Sequence, residues 1–252
     1  MTGKERLEAI RRRLHMEGRV TVSVLSQDFS VTEETIRRDL EKLEAEGFLR
    51  RTYGGAILNA AKPTNGVQYY KRAGRNAEEK RSIARKALPL LDGISTLAVD
   101  SSSTVMELVK IIKDRDRLTI LTNSTYVFLE AFGSNAVVMS TGGIFDDATF
   151  SLTGETAKQT LQHFHVDTVV FSCAAVSQWE GVLDSREADA AVKKAMLEQA
   201  TRCILLVDHS KFDKAAFVRL ADFDRIDYLV TDQEPSDEWK QILREHEVEL
   251  IW

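Results

Sequence analysis

Apolar residues recur at helical spacing in three short stretches within the first fifty residues of the chain. Spacings of three and four residues place apolar side chains on one face of a helix, so each stretch predicts a short amphipathic helix. The predicted inward positions are Leu7, Ile10 and Leu14, then Val22, Leu25 and Phe29, and finally Ile36, Leu40 and Leu43.

Residues that start and stop helices flank these stretches. Gly18 is predicted to end the first helix, and Thr21 to cap the second. Thr32 is a suitable N-cap for a third helix that runs to about Ala45, with Gly47 placed to terminate it. The connection between the second and third helices is short, which is typical of a helix-turn-helix.

The segment FLRRTYGGAIL predicts two short strands around Gly54-Gly55, that is, a hairpin. Three short helices followed by a hairpin predict a winged helix-turn-helix. Periodicity is then lost from Ala60 to Gly66, which is the predicted linker and domain boundary. We therefore expect a DNA-binding domain over 1–60, a linker over 61–75 and a second domain over 76–252.

From Asn76 onward, predicted helices and strands alternate to the end of the chain. Asn76 with Glu79 three residues later resembles a capping box that opens a helix reaching about Leu91. Buried strand patterns such as STLAVD, LTILT, AVVMS, DTVVFSCA and CILLVD are each separated from the next by a helical pattern. This rhythm predicts an α/β fold with a mostly parallel sheet covered on both faces.

The composition predicts a cytoplasmic protein without a metal or another cofactor. No apolar run approaches the roughly 20 residues of a membrane span, and the charged N-terminus does not resemble a signal peptide. Cys173 and Cys203 lie in strand-like runs and are expected to be buried free thiols. His163 and His165 have no second ligand pair nearby, so we expect them to be surface or structural residues.

Charge is distributed unevenly between the two predicted domains. Residues 1–62 carry a net charge of +2 and the remainder −7, which suits a DNA-binding head on an acidic body. The third helix presents Glu34, Thr35, Arg37 and Arg38 near its start, and the N-terminal half of such a helix enters the major groove. Arginine can bond a guanine edge twice, whereas a phosphate contact adds affinity without sequence information. The predicted DNA-binding residues are Thr32, Glu34, Thr35, Arg37, Arg38, Lys42, Arg50, Arg51, Tyr53, Gly54 and Gly55.

The segment TIRRDLEKLEAEGFLRRTYGGA resembles the hallmark segment of the DeoR family of bacterial repressors. That family usually has TIRRDL in the recognition helix and a glycine-rich wing ending in HGGA. Tyr53 stands here where histidine is frequent. The resemblance continues through the second domain and implies a sugar-sensing domain similar in fold to ribose-5-phosphate isomerase.

Polar motifs follow several predicted strands of the second domain. In open α/β sheets ligands bind at the carboxyl ends of strands, and a helix start rich in hydroxyls can hold an anion. The motifs are Asp100, Ser101, Ser102, Ser103 and Thr104 in VDSSST, then Thr122, Asn123 and Ser124 in LTNS, Gly142 and Gly143 in STGG, and Asp208 and Lys211 in VDHSKF.

The same strings match the family's sensor motifs, and the resemblance adds Lys80 as a phosphate partner from the family's EK pair. Two positions depart from the family pattern. Ser102 replaces a common glycine. The loop after Gly142-Gly143, where the family often has an arginine two residues later, here reads IFDDATF and carries Asp146 and Asp147. Carboxylates near an anion are unfavourable unless they point away, so an uncharged sugar or polyol remains an alternative ligand.

An alternative function is that of a sugar-phosphate isomerase with a fused DNA-binding head. Isomerisation needs a base beside the carbon that loses its proton. The stretch from Val169 to Ser177, where the isomerases place acidic residues, contains no carboxylate, while Glu180 and Asp184 follow later. Binding is therefore favoured over catalysis. We expect a repressor of a carbohydrate operon, a homo-oligomer that a sugar or sugar phosphate releases from its operator DNA.

Overall fold

The computed structural model of the chain describes residues 2–46, 48–58 and 67–252. It divides into two compact units, one ending at Arg75 and the other running from Asn76 to Trp252. The predicted linker residues 60–66 and the predicted terminator Gly47 lie outside the described residues. The remainder of the predicted 61–75 linker contains a helix over Val67–Gly74, which packs on the first helix of the chain.

Among its described residues, the first unit combines four helices with a small three-stranded sheet. Its elements are α1 (Gly3–Glu17), β1 (Arg19–Thr21), α2 (Val22–Asp28), α3 (Glu33–Ala45), β2 (Leu49–Thr52), β3 (Gly55–Leu58) and α4 (Val67–Gly74).

Capping residues set most helix boundaries in this unit. Gly18 adopts a left-handed φ of 72° and its N–H donates to the Leu14 carbonyl, which confirms the predicted end of α1. The Thr32 side chain accepts from the Thr35 N–H, as predicted for the start of α3. The prediction for Thr21 is wrong in part, because this residue precedes α2 but its side chain makes no capping bond.

The predicted apolar faces form the core of the first unit. Ile10, Leu14, Leu25, Ile36 and Leu43 are fully buried. The predicted hairpin is β2–β3, and β1 joins it to give the order β1-β3-β2. The sequence pattern did not predict β1, because a three-residue strand is too short to show a period.

The second unit contains six helices and twelve strands among its described residues. They are α5 (Ala77–Ala87), β4 (Thr96–Val99), α6 (Ser103–Ile112), β5 (Thr119–Thr122), α7 (Thr125–Glu130), β6 (Val137–Ser140), β7 (Ile144–Asp146), β8 (Ser151–Thr153), α8 (Glu155–Leu161), β9 (Val166–Phe171), β10 (Ala175–Ser177), β11 (Gly181–Asp184), α9 (Glu187–Glu198), β12 (Ala200–Leu206), β13 (Val218–Ala221), β14 (Tyr228–Val230), α10 (Asp237–Glu245) and β15 (Glu249–Ile251). Short 3₁₀ turns cover Leu88–Leu91, His209–Lys211 and Phe223–Arg225.

A seven-stranded sheet organises this unit, in the order β15-β14-β12-β9-β4-β5-β6. Every neighbouring pair in it is parallel, and an apolar layer covers each face, which confirms the predicted α/β class. The chain winds outward from β4 through β5 to β6, and then from β9 through β12 and β14 to β15. The switch point therefore lies between β4 and β9, where such folds open a crevice at the strand ends.

Two small antiparallel groups stand beside the main sheet, the hairpin β7–β8 and the sheet β10-β11-β13. The strand β13 belongs to the small sheet and not to the main one. The predicted capping box at Asn76 is wrong. Asn76 has a left-handed φ of 52° and makes no capping bond, and its side-chain nitrogen instead donates to Asp208 at 2.8 Å and Ser210 at 2.9 Å.

Cys173 and Cys203 are free and buried, as predicted. Within the described part of the chain, every helix is too short or too polar to cross a bilayer.

Candidate nucleic-acid interface and ligand pocket

The exposed face of α3 carries the predicted DNA-reading side chains. Arg37 and Arg38 are 53% and 72% exposed and pair with Glu33 and Glu34 at 2.6 and 3.3 Å. Exposed pairs four residues apart contribute only about 0.3–0.5 kcal/mol, so a guanine edge or a phosphate can compete for both guanidinium groups. Lys42 lies one turn beyond Arg38 on the exposed face of the same helix.

Thr32 and Thr35, both predicted DNA contacts, also stabilise the start of α3. The Thr32 hydroxyl accepts from the Thr35 N–H at 3.2 Å and lies 2.9 Å from the Thr35 hydroxyl. These bonds fix the end of the helix that is predicted to point toward the bases.

A partly buried ion pair orients α3 within the first unit. Asp39 lies on the inner side of α3 and accepts from the Arg6 guanidinium of α1 at 2.5 Å. The Asp39 and Arg6 side chains are only 4% and 11% exposed, so this pair joins α3 to α1 more firmly than an exposed pair would.

The wing extends cationic and aromatic side chains into solvent. Arg50 and Arg51 are exposed on β2, and Arg51 pairs with Glu41 and with Glu44 of α3. Tyr53 is fully exposed at the hairpin tip. The DeoR family, which this segment resembles, often has histidine at this position.

The two glycines of the wing differ in what requires them. A Cβ at Gly55 would lie 1.9 Å from the Val20 carbonyl oxygen, because β1 crosses directly beside it. A Cβ at Gly54 would meet nothing within 4 Å. Gly55 is therefore required by strand packing, whereas the space around Gly54 is open.

The second site lies at the switch point between β4 and β9. Asp100 follows β4 and is 1% exposed. One carboxylate oxygen accepts from the Ser102 N–H at 3.1 Å, and the other lies 2.9 Å from the Lys193 ammonium and 3.4 Å from the Ser172 N–H. Both oxygens are thus engaged, which makes Asp100 a residue that shapes the turn before α6.

Lys193 lies between two carboxylates in the protein interior. Its ammonium is 2.9 Å from Asp100 and 2.7 Å from Asp184, and it also donates to the Ser172 carbonyl at 2.7 Å. Burial lowers the pKa of Lys193, but the two carboxylates outweigh burial and raise it above its ordinary value. Asp100 and Asp184 therefore share one buried cation.

The serine-rich motif forms the start of α6. Ser101, Ser102, Ser103 and Thr104 are all buried, and the Ser102 hydroxyl accepts from the Val105 N–H at 3.2 Å. Ser102 occupies the N-cap position, so the departure from the family's glycine leaves a well-capped helix.

Two buried polar atoms beside this turn have no hydrogen-bond partner among the described residues. They are Asn123 Oδ1 and Ser124 Oγ, in residues 2% and 1% exposed. The Asn123 amide nitrogen donates to the Leu152 carbonyl at 3.1 Å, which fixes the orientation of the amide. Leaving such atoms unsatisfied costs roughly 1–3 kcal/mol each, so this position favours an outside donor or acceptor.

The register of the sheet brings the LTNS and VDSSST motifs together. Val99 pairs with Thr122, so Asp100 and Asn123 follow on adjacent strands. The Thr122 hydroxyl donates to the Val99 carbonyl at 2.9 Å and ties the two strand ends.

The segment that follows β12 places Lys211 and Asp208 beside the switch point. Lys211 donates to the Ser172 hydroxyl at 3.0 Å and the Cys173 carbonyl at 2.7 Å, and it lies 3.9 Å from Asp208. Asp208 is buried. Burial raises its pKa, but hydrogen bonds from Ser210 and Asn76 and the charges of Lys211 and Lys80 lower it overall.

Gly142 and Gly143 lie farther out than the other predicted ligand residues, beyond the edge strand β6. A Cβ at Gly143 would lie 2.4 Å from the Thr153 carbonyl oxygen, so packing against β8 alone requires a glycine there. Asp146 of the following hairpin pairs with Arg186. Burial raises the pKa of Asp146, but Arg186 lowers it overall, so its charge is compensated.

Sequence reasoning missed Lys193 and Arg186. Lys193 lies three residues from Ala190 and from Met196, both buried, so the helical period of α9 does place it inward. Only the fold shows that two carboxylates meet it there. Asp184, which the sequence placed at an unknown distance, joins the site through this lysine.

The first unit thus has a DNA-binding architecture and the second a ligand-sensing one, which is the organisation of a transcription regulator. The DeoR-like helix-turn-helix domain matches residues 6–62, and the DeoR C-terminal sensor domain matches residues 75–233. The chain belongs to the DeoR family of transcriptional regulators.

Curated relatives cover nearly the whole chain. An uncharacterised helix-turn-helix regulator of Bacillus subtilis, YulB, is 37% identical over 90% of this chain and 88% of its own length. The L-fucose operon activator of Haemophilus influenzae is 33% identical over 97% and 98%, and a putative aga operon repressor of Escherichia coli O157:H7 is 32% identical over 98% and 93%. A solved ribose 5-phosphate isomerase A from Methanocaldococcus jannaschii is 17% identical, with a TM-score of 0.41, over 54% of this chain and 55% of that chain.

Proposed function

We propose that this chain is a cytoplasmic repressor of a carbohydrate operon, which leaves its operator DNA when a sugar phosphate or related sugar metabolite binds. The observation that carries this proposal is the two exposed arginines of α3, Arg37 and Arg38, on a helix tied to α1 by a partly buried ion pair, in a chain of the DeoR family. Its relatives named for L-fucose and aga operons support a carbohydrate operon as the target.

Arg37 and Arg38 read base edges in this proposal, while Lys42, Arg50 and Arg51 contact phosphates. Glu34, Thr32, Thr35 and the wing tip around Tyr53 and the paired glycines complete the predicted interface.

Fluorescence anisotropy with the labelled DNA upstream of the chain's own gene tests this interface. Replacing Arg38 by alanine is expected to weaken specific binding by about 1–3 kcal/mol if it reads a base. Replacing Lys42 is expected to weaken specific and unrelated DNA alike and to reduce the salt slope. Arg219→Ala, an exposed arginine of the second unit, is the matched control. Unchanged affinity in both Arg37→Ala and Arg38→Ala would refute the reading role.

Effector binding is proposed at the switch-point pocket. The unsatisfied Asn123 Oδ1 and Ser124 Oγ are suited to ligand hydroxyls, while the α6 start, Lys211 and Lys80 favour an anionic group. A phosphorylated sugar offers both kinds of group. Gly142 and Gly143 are then peripheral to the ligand.

A thermal-shift screen that compares sugar phosphates with the same free sugars tests the pocket, because a ligand of the folded state raises the melting temperature. Lys211→Ala is expected to abolish the shift and the release of DNA while DNA binding itself stays intact. Lys214→Ala, three residues away and exposed, is the matched control. An unaltered shift in Lys211→Ala would show that the pocket is misplaced.

The pocket supports binding rather than catalysis. Asp184 and Asp100 both pair with the Lys193 ammonium. Because the Asp184 carboxylate is engaged in this ion pair, it is poorly suited to accept a proton from a substrate. Incubation with ribose 5-phosphate is expected to give no ribulose 5-phosphate. Turnover would overturn the sensor interpretation.

Two-fold DNA sites follow if the chain is a homo-oligomer, because each chain supplies one recognition helix. A ligand releases the DNA only if it binds the DNA-free arrangement of the oligomer more tightly than the DNA-bound arrangement.

A further inference from the structure

The outer edge strand of the main sheet, β6, is apolar. β6 pairs only with β5, so one side of its backbone is unpaired among the described strands. Its four residues are VVMS, with no charge and no proline. Natural proteins usually protect such edges with charges, proline or a bulge, because an unprotected edge pairs readily with another strand.

The opposite edge of the same sheet is different. β15 carries the exposed carboxylate Glu249. A charge on an edge strand opposes pairing with another copy, so β15 has the protection that β6 lacks.

Exposed apolar side chains precede and follow β6 along the chain. Leu129 lies at the end of α7 and Val137 at the start of β6, while Ile144 and Phe145 follow the end of β6. They are 63%, 59%, 71% and 51% exposed, respectively. We name Leu129, β6, Ile144 and Phe145 the β6 edge.

The exposed apolar area of the β6 edge matches what a dimer requires. A large apolar side chain presents on the order of 200 Å², so these four residues expose roughly 500 Å² together. A stable interface buries about 800 Å² per partner, and in homodimers about 65% of that area is apolar. The apolar area that each partner of such a homodimer buries is therefore also roughly 500 Å².

Two carboxylates beside the β6 edge are already paired with cations. Glu130 pairs with Lys113 at 2.9 Å, and Asp146 pairs with Arg186. Two copies of this surface would therefore meet without bringing uncompensated like charges of these residues together.

We infer that the β6 edge is the surface through which two copies of this chain associate, with β6 pairing antiparallel to its own copy about a two-fold axis. An edge strand is self-complementary under such an axis, because each copy offers the same donors and acceptors. This inference rests on the proposed function, which needs two recognition helices per complex, and it assigns the surface that brings them together.

Sedimentation velocity of the full-length chain tests this inference. The wild type is expected to sediment as a dimer of twice 28.4 kDa, or as a higher assembly. Val137→Lys combined with Leu129→Lys is expected to raise the dissociation constant at least 100-fold and to halve the mass. Phe217→Lys, at an 87% exposed aromatic outside the β6 edge, is the matched control and keeps the wild-type mass. An unchanged mass in the double variant overturns the inference, and so does a monomeric wild type.

Cross-linking provides a second test, which does not require the protein to fold with lysines at positions 129 and 137. In antiparallel pairing the two Val137 positions lie about 10 Å apart, because the strand has four residues. A short bis-maleimide is expected to link Val137→Cys dimers and to leave Phe217→Cys unlinked, since both native cysteines are buried. No linked dimer from Val137→Cys would overturn the pairing. Operator binding measured on the same samples separates this failure from a failure of the regulator function.

Discussion

Replacing Lys193 by methionine tests the energetic centre of the ligand-sensing unit. The substitution keeps an unbranched side chain, shorter by the ammonium group, but leaves Asp100 and Asp184 buried without their shared cation. Breaking a buried ion pair by removing one partner costs about 3–5 kcal/mol. A loss of 1 kcal/mol lowers the melting temperature of a domain of this size by roughly 2–4 °C. We therefore expect a decrease of roughly 6–20 °C.

Urea denaturation followed by tryptophan fluorescence measures this effect in the correct unit, because Trp179, Trp239 and Trp252 all lie in the second one. Lys194→Met changes the adjacent, exposed lysine and is expected to alter stability by less than about 0.5 kcal/mol. A Lys193→Met variant within 1 kcal/mol of the wild type would refute the role of this lysine.

The pH dependence of the same measurement has a defined sign. The folded pKa of Lys193 is raised, so its contribution is fully present below the unfolded pKa of about 10.4 and is lost only as pH rises through the folded value. The difference between wild type and Lys193→Met is thus expected to be constant from about pH 6 to 9 and to shrink in strong alkali. A difference that disappears near neutral pH would contradict the assignment.

Three further predictions concern other parts of the molecule. Gly55→Ala is expected to weaken operator binding at least tenfold by displacing the strand at Val20, whereas Gly54→Ala leaves it nearly unchanged; equal effects in the anisotropy assay would contradict the packing argument. Asp208 has a lowered pKa, so its contribution to stability is present above about pH 4 and is lost as pH falls through the folded value, and Asp208→Asn is expected to flatten this acid dependence in urea titrations. Burial raises the pKa of Cys173 to about 12, so a thiol reagent at pH 8 is expected to leave it unmodified until the protein unfolds; rapid labelling of the native chain would contradict its burial.

Local sequence signals predicted the helices of the first unit, including α3, which carries the proposed DNA-reading face. Thr32 supplied a hydroxyl at the right position to start α3, and the spacing of Ile36, Leu40 and Leu43 required one buried face. The alternation of strands and helices likewise predicted the parallel sheet. These features depend on neighbours within a few residues, which the sequence displays directly.

Features that depend on distant residues were not predictable in the same way. Strands β7, β10 and β11 have three or four residues and form pairs whose register is set by tertiary packing. Asn76 has the identity of a helix cap, but its left-handed backbone turns its side chain toward Asp208, which lies far along the chain. Lys193 meets its two carboxylates only through the fold.

The central claim is that occupation of the sensor pocket controls DNA binding by the α3 face. It is tested most directly by anisotropy of operator DNA bound to the full-length chain while a sugar phosphate from the thermal-shift screen is added. The account predicts release by the phosphorylated sugar from the wild type and retention of DNA by Lys211→Ala. Operator affinity that no pocket ligand changes, or that changes equally in both proteins, would contradict it.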